Sequence, residues 1–159
     1  MTDVTTSDGV RLHAETAGSG PPILFIHEFA ADHRAWARQV EALSGEFQCI
    51  TYDARGYPPS EVPEEQERYS HVRQADDAID VLDAFGAGKA HIVGLSMGGF
   101  CALQLGIRYP GRVSSLLVSS AGSGANPATR SVSAMKAARP AGLAPDPALD
   151  TSSDDTRPG

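Results

Sequence analysis

The sequence predicts an α/β fold, a mostly parallel sheet with helices on both faces. Three observations predict it. The run Ile23, Leu24, Phe25, Ile26 is apolar throughout rather than alternating, which suits a strand covered on both sides of a parallel sheet. Segments with apolar residues at helical spacing alternate with such strands along the chain. Glycine and proline mark the junctions between them.

Each element has its own signal. Strands over 3–6 and 10–17 flank Asp8-Gly9, a hairpin dipeptide, and give the sheet an antiparallel edge. Gly18 to Pro22 is a turn-rich break before the strand 23–26. A helix over 31–44 follows, with Trp36, Val40 and Leu43 on one face. The next strand is 47–52. The segment 53–63 carries Gly56, Pro58, Pro59 and Pro63 and reads as loop. Ser70 caps a helix with the apolar stripe Val72, Ala75, Ile79, Leu82 and Phe85, which Gly86 and Gly88 terminate. A strand over 90–93, a helix over 97–109 stopped by Pro110, and a strand over 113–119 complete the alternation.

The character changes from Gly122 onward, where five prolines occur and no aromatic side chain. The reading is therefore a partial core over 1–122. The segment 123–159 is expected to hold the start of a lid-like helix, entered at Asn126-Pro127, and a disordered tail past Pro140.

The apolar share of 41% and charged share of 21% are those of a soluble globular protein. A formal charge of −7 argues against nucleic acid or an anionic membrane as partner, because both require a positive patch. Cys49 and Cys101 lack metal-binding or redox spacing and read as buried free thiols. With no basic and apolar leader at the N-terminus, the expected location is cytoplasmic.

The chemistry-bearing segment is Gly94-Leu95-Ser96-Met97-Gly98-Gly99, which fits G-x-S-x-G between a predicted strand and a predicted helix. A serine on such a turn takes strained backbone angles, and the flanking glycines avoid side-chain clashes. The helix start behind it offers unpaired N–H groups to a developing oxyanion.

Four landmarks in order then carry a family resemblance. They are His27 at the end of the third strand, His33-Arg34-x-Trp36 opening the first helix, Asp53-Ala54-Arg55-Gly56 after the fourth strand, and the elbow at Ser96. The chain resembles α/β-hydrolase-fold proteins from near its start to about Gly122, as a fold cut off after about the sixth strand. The resemblance implies Ser96 as nucleophile and the backbone N–H groups of Met97 and Phe29 as oxyanion hole. It implies a small-molecule acyl substrate of ester or lactone type and no cofactor or metal. His27, Glu28 and His33 are candidate substrate contacts by their place near the pocket mouth.

Two departures stand out. Glu28 occupies a position that is usually glycine, which implies either a strained loop or an ordinary backbone there. The triad order of the family is serine, acid, histidine. All five histidines here, His13, His27, His33, His71 and His91, precede Ser96. Without a base the serine hydroxyl is a poor nucleophile, so the chain alone is expected to be nearly inactive. A non-catalytic relic or binding module, and a hydrolase completed by a separate chain, stand as alternatives. The last strand would also present Leu116-Leu117-Val118 on an open edge, a route to self-association.

The remaining residues carry plainer readings. His27 steadies its loop through ring hydrogen bonds. Asp53 and Arg55 fix the turn at Gly56. His91 packs between sheet and helix, and Phe100 belongs to the helix core.

Overall fold

The computed structural model describes residues 2–121; the expectations for 123–159 lie outside them. The sheet has six strands, β1 (Thr2–Thr5), β2 (Arg11–Ala17), β3 (Pro22–Ile26), β4 (Gln48–Tyr52), β5 (Ala90–Leu95) and β6 (Val113–Ser119). Their order is β1-β2-β4-β3-β5-β6. β1 pairs antiparallel with β2, and β2 antiparallel with β4. The pairs β3 with β4, β3 with β5 and β5 with β6 are parallel. The predicted mixed sheet is what the chain forms.

β3 shows why the pattern works. Leu24 and Ile26 face one side of the sheet, where helices α2 (His71–Ala84) and α3 (Met97–Arg108) lie. Ile23 and Phe25 face the other, toward Trp36 and helix α1 (Ala37–Leu43). Burial on both faces demands apolar residues at successive positions, which is the continuous run seen in the sequence. The larger core is on the α2/α3 side and joins Ile50, Tyr52 and Ile92 to Ala75, Ala78, Leu82, Ala102 and Leu105. Small alanines on α2 let it approach α3 closely.

Three elements differ from expectation. The helix predicted over 31–44 is divided: a 3₁₀ turn His33–Trp36 precedes α1. The Asp32 side chain accepts from Arg34 N–H, and the Asp53 carboxylate accepts from His33 N–H at 2.7 Å. Those two N–H groups are thereby satisfied by side chains at the helix entrance, and Ala30 turns the chain just before them with φ 59°. The stripe of α2 is also shifted. Val72 is exposed and Ile79 half-buried, while Asp77 is 1% exposed among the core alanines. Periodicity finds apolar faces, and here a carboxylate is drawn into that face by Arg55. Finally, His91 is only half-buried; its ring meets Phe47 edge-on at 6.3 Å and its Nδ1 shares a hydrogen bond with Ser115 Oγ at 2.8 Å.

Ser70 caps α2 as expected, its side chain accepting from Arg73 N–H. Both cysteines are free and buried. Burial pushes the Cys101 thiol up to about 12, which keeps it protonated and inert. No helix among the described residues is long and apolar enough to cross a membrane.

Candidate active site

β5 delivers Ser96 to the carboxyl end of the sheet, and α3 begins at the next residue. Ser96 has φ 52° and ψ −110°, a backbone state that costs about 1–3 kcal/mol outside glycine. The surroundings hold it there. Ser96 N–H donates to Ser119 O at 2.8 Å, and Ser96 O accepts from Phe100 N–H at 3.0 Å. A Cβ on Gly98 would stand closer than 3.0 Å to the carbonyl oxygens of Ile26 and His27, and one on Gly94 would meet Gly98 O. The glycines are required because α3 abuts the end of β3, and this is how the serine turn and the His27–Phe29 loop become neighbours.

The Ser96 side chain makes no capping bond to α3. As the first helical residue, Met97 carries an N–H with no partner inside the helix. Its sulfur accepts from Tyr57 O–H at 3.4 Å. Phe29 projects its ring outward at 75% exposure on the facing loop.

His27 is fully buried. Its Nε2 accepts from Ala54 N–H at 3.0 Å, so the ring proton of the neutral imidazole sits on Nδ1 and is donated to Glu28 O at 2.8 Å. The ring stacks edge-on against Tyr57 at 4.8 Å. Both nitrogens are consumed in tying the end of β3 to the loop after β4.

Glu28 does not take a left-handed backbone; Ala30, two residues on, does. Of the two readings of the glutamate, the ordinary backbone is the one present. Its Oε2 is buried without a hydrogen-bond partner among the described residues. His33 is held by Asp53, which is 0% exposed and accepts from its ring Nδ1 at 2.9 Å as well as from its backbone N–H.

Asp53 and Arg55 do not brace the Gly56 turn through their side chains. Arg55 donates to both carboxylate oxygens of Asp77 at 2.6 and 2.7 Å, to Asp8 at 2.8 and 3.0 Å, and to Arg68 O. Burial opposes its charge, but the hydrogen bonds to Asp77 and Asp8 outweigh that cost and raise its pKa. This knot binds the β1–β2 turn, the loop after β4 and α2 together. Phe100 is half-buried and packs edge-on against His71 at 4.5 Å instead of entering the core.

The histidines are thus accounted for: His27 by backbone groups, His33 by Asp53, His71 by Phe100, His91 by Ser115. His13 faces Glu15 and the ring of His33. None is hydrogen-bonded to the Ser96 hydroxyl. The sequence alone does not single out His13 and Glu15; their i, i+2 spacing puts them on one face of β2, but only the β2–β4 pairing sets His13 beside Asp53 and Glu15 opposite Thr51.

Comparison with known proteins agrees with the fold. The model of a family described as alpha/beta hydrolase fold matches residues 21–151. The chain is 37% identical over 117 residues to 3-oxoadipate enol-lactonase 1 of Acinetobacter baylyi, covering 72% of this chain and 43% of the lactonase. It is 33% identical over 114 residues to epoxide hydrolase 3 of Mus musculus, covering 70% of this chain and 31% of that protein. The crystal structure of a hydrolase from Pseudomonas aeruginosa superposes with TM-score 0.74 at 29% identity, over 86% of this chain and 51% of that one. The chain therefore spans less than half the length of these curated relatives.

Proposed function

The chain belongs to the α/β-hydrolase fold family, and from this premise we propose that it carries the nucleophile half of a serine hydrolase acting on ester or lactone carbonyls. The observation that carries the proposal is the strained Ser96 at the strand–helix junction, backed by glycines that tolerate no side chain. Ser96 Oγ would attack the acyl carbon, and the N–H groups of Met97 and Phe29 would receive the oxyanion. Two N–H donors beside a serine suit a carbonyl, where negative charge develops on an oxygen one bond from the attacked carbon. Opening an epoxide instead releases an alkoxide that needs a proton donor. This difference, with the lactonase similarity, favours the acyl reading.

The same proposal includes very low activity for the chain by itself, because no imidazole is engaged with Ser96 among the described residues. Losing the base costs about 10⁶ in rate in a serine protease, leaving about 10³–10⁴ over water. A binding role for the region around Ser96 is the second reading, and that missing imidazole is what favours it.

Aryl-ester turnover and fluorophosphonate labelling test both. The expected result is near-background turnover, with labelling that free imidazole accelerates and that Ser96→Ala abolishes. Ordinary enzymatic turnover by the pure chain would overturn the inactivity. Labelling that survives Ser96→Ala would remove Ser96 as nucleophile. No labelling even with imidazole would favour the binding role.

A further inference from the structure

On the α1 side of the sheet, His13 and Glu15 of β2 meet His33 of the 3₁₀ turn. Glu15 Oε1 lies 3.5 Å from His13 Nε2 and 3.8 Å from His33 Nε2. The three ligand atoms all fall within 4.8 Å of one another. Both carboxylate–imidazole separations are longer than a normal hydrogen bond of about 2.7–3.2 Å. They are close to the edge of a ligand tetrahedron around zinc, about 3.4 Å for metal–ligand bonds of about 2.0–2.1 Å.

The supporting groups suit a metal as well. Asp53, 0% exposed, accepts from His33 Nδ1–H at 2.9 Å and from the His33 backbone N–H at 2.7 Å. That fixes the tautomer and leaves the Nε2 lone pair aimed at Glu15, the carboxylate–histidine arrangement found behind metal-bound imidazoles. His13 is 4% exposed and held from the backbone side by its N–H to Ser60 Oγ at 2.8 Å. Glu15 and His33 line an open groove of about 310 Å³ with Ala37, Val40, Cys49 and Thr51, which gives an ion a way in. The neighbouring set Asp32, His33 and Asp53 is a poorer candidate. Asp32 is already taken by the backbone N–H and guanidinium of Arg34, and Asp53 by His33.

We infer that His13, Glu15 and His33 form a binding site for a divalent transition metal of the zinc type, with water in the fourth position. Bound there, the ion ties the 3₁₀ turn to β2 and so anchors the far end of the His27–Phe29 loop.

The test uses the untagged 159-residue chain, stripped of metal, with Zn²⁺ and Co²⁺ as probes. One Zn²⁺ per chain is expected to bind, and Co²⁺ to give the intense visible bands of a four-coordinate site. Glu15→Gln, at a half-exposed position, should weaken binding by more than ~10-fold, whereas Glu46→Gln, at an exposed position in the turn after α1, should not. Nitrogen NMR of the unmodified chain gives a readout independent of any variant. The Nε2 signals of His13 and His33 should shift on adding Zn²⁺, with those of His27, His71 and His91 unmoved. Absence of stoichiometric binding at ~100 µM, a six-coordinate Co²⁺ spectrum, or shifts at other histidines would each overturn the site.

Discussion

Gly98 lies so near Ile26 that a side chain on the glycine would collide with the carbonyl oxygen of the isoleucine. The atom in the way is backbone, so neither partner relaxes without moving β3 or α3. Gly98→Ala is expected to destabilise the protein by about 3 kcal/mol or more, at the upper end of overpacking costs. Gly111→Ala, where nothing stands within 4 Å, should change stability by less than about 1 kcal/mol. Urea unfolding of the two variants checks the contrast; equal effects would contradict the close approach.

His27 serves two backbone groups from a fully buried position. His27→Ala strands the Ala54 N–H without its acceptor, and a buried unsatisfied group costs about 1–3 kcal/mol. Urea unfolding should show a loss of at least that size. A stability equal to that of the unmodified chain would count against the buried geometry.

Arg55 faces Asp77 through two parallel hydrogen bonds, both side chains buried. Among the described residues, Arg55→Met leaves the Asp77 carboxylate with only Arg73 Nε, at 3.1 Å, and is expected to cost about 3–5 kcal/mol. Replacing both, Arg55→Met with Asp77→Leu, should cost less than Arg55→Met alone. Additive losses in thermal unfolding would mean the two side chains act independently.

Asp8 sets an acid limit. Hydrogen bonding from Arg55, against the cost of burial, holds its carboxyl well below the usual carboxylate range. In the unfolded chain it titrates near about 3.9. Between that value and its folded one the unfolded state binds the extra proton, so stability rises with pH there. The contribution is complete above about pH 5 and is lost as pH falls toward the folded value. Asp8→Asn should show a shallower decline below about pH 4, read from urea midpoints across the acid range.

Much of this architecture was legible in local pattern. The elbow could be read because a serine between glycines at a strand–helix junction answers to short-range sterics, and β3 because burial on two faces leaves no polar position. What was hidden depends on partners distant in sequence. Asp77 enters the core only because Arg55, from the loop after β4, meets it there. The start of α1 is cut back because Asp53 captures the His33 N–H. The meeting of His13 and Glu15 with His33 follows from a register that no single segment encodes.

The unequal cover of the sheet has a consequence for how the molecule breathes. On the α1 side, Phe25 and Cys49 in β3 and β4 are sealed, whereas His91 is half-buried and Leu117 in β6 is 59% exposed. Among the described residues the second pair of strands is the less covered on that face, so their backbone amides should swap hydrogen for deuterium well before those of β3 and β4. The swap would proceed inward from β6, and Ser96 rides on the strand next to it, so the rigidity of the nucleophile turn depends on how firmly β6 is held.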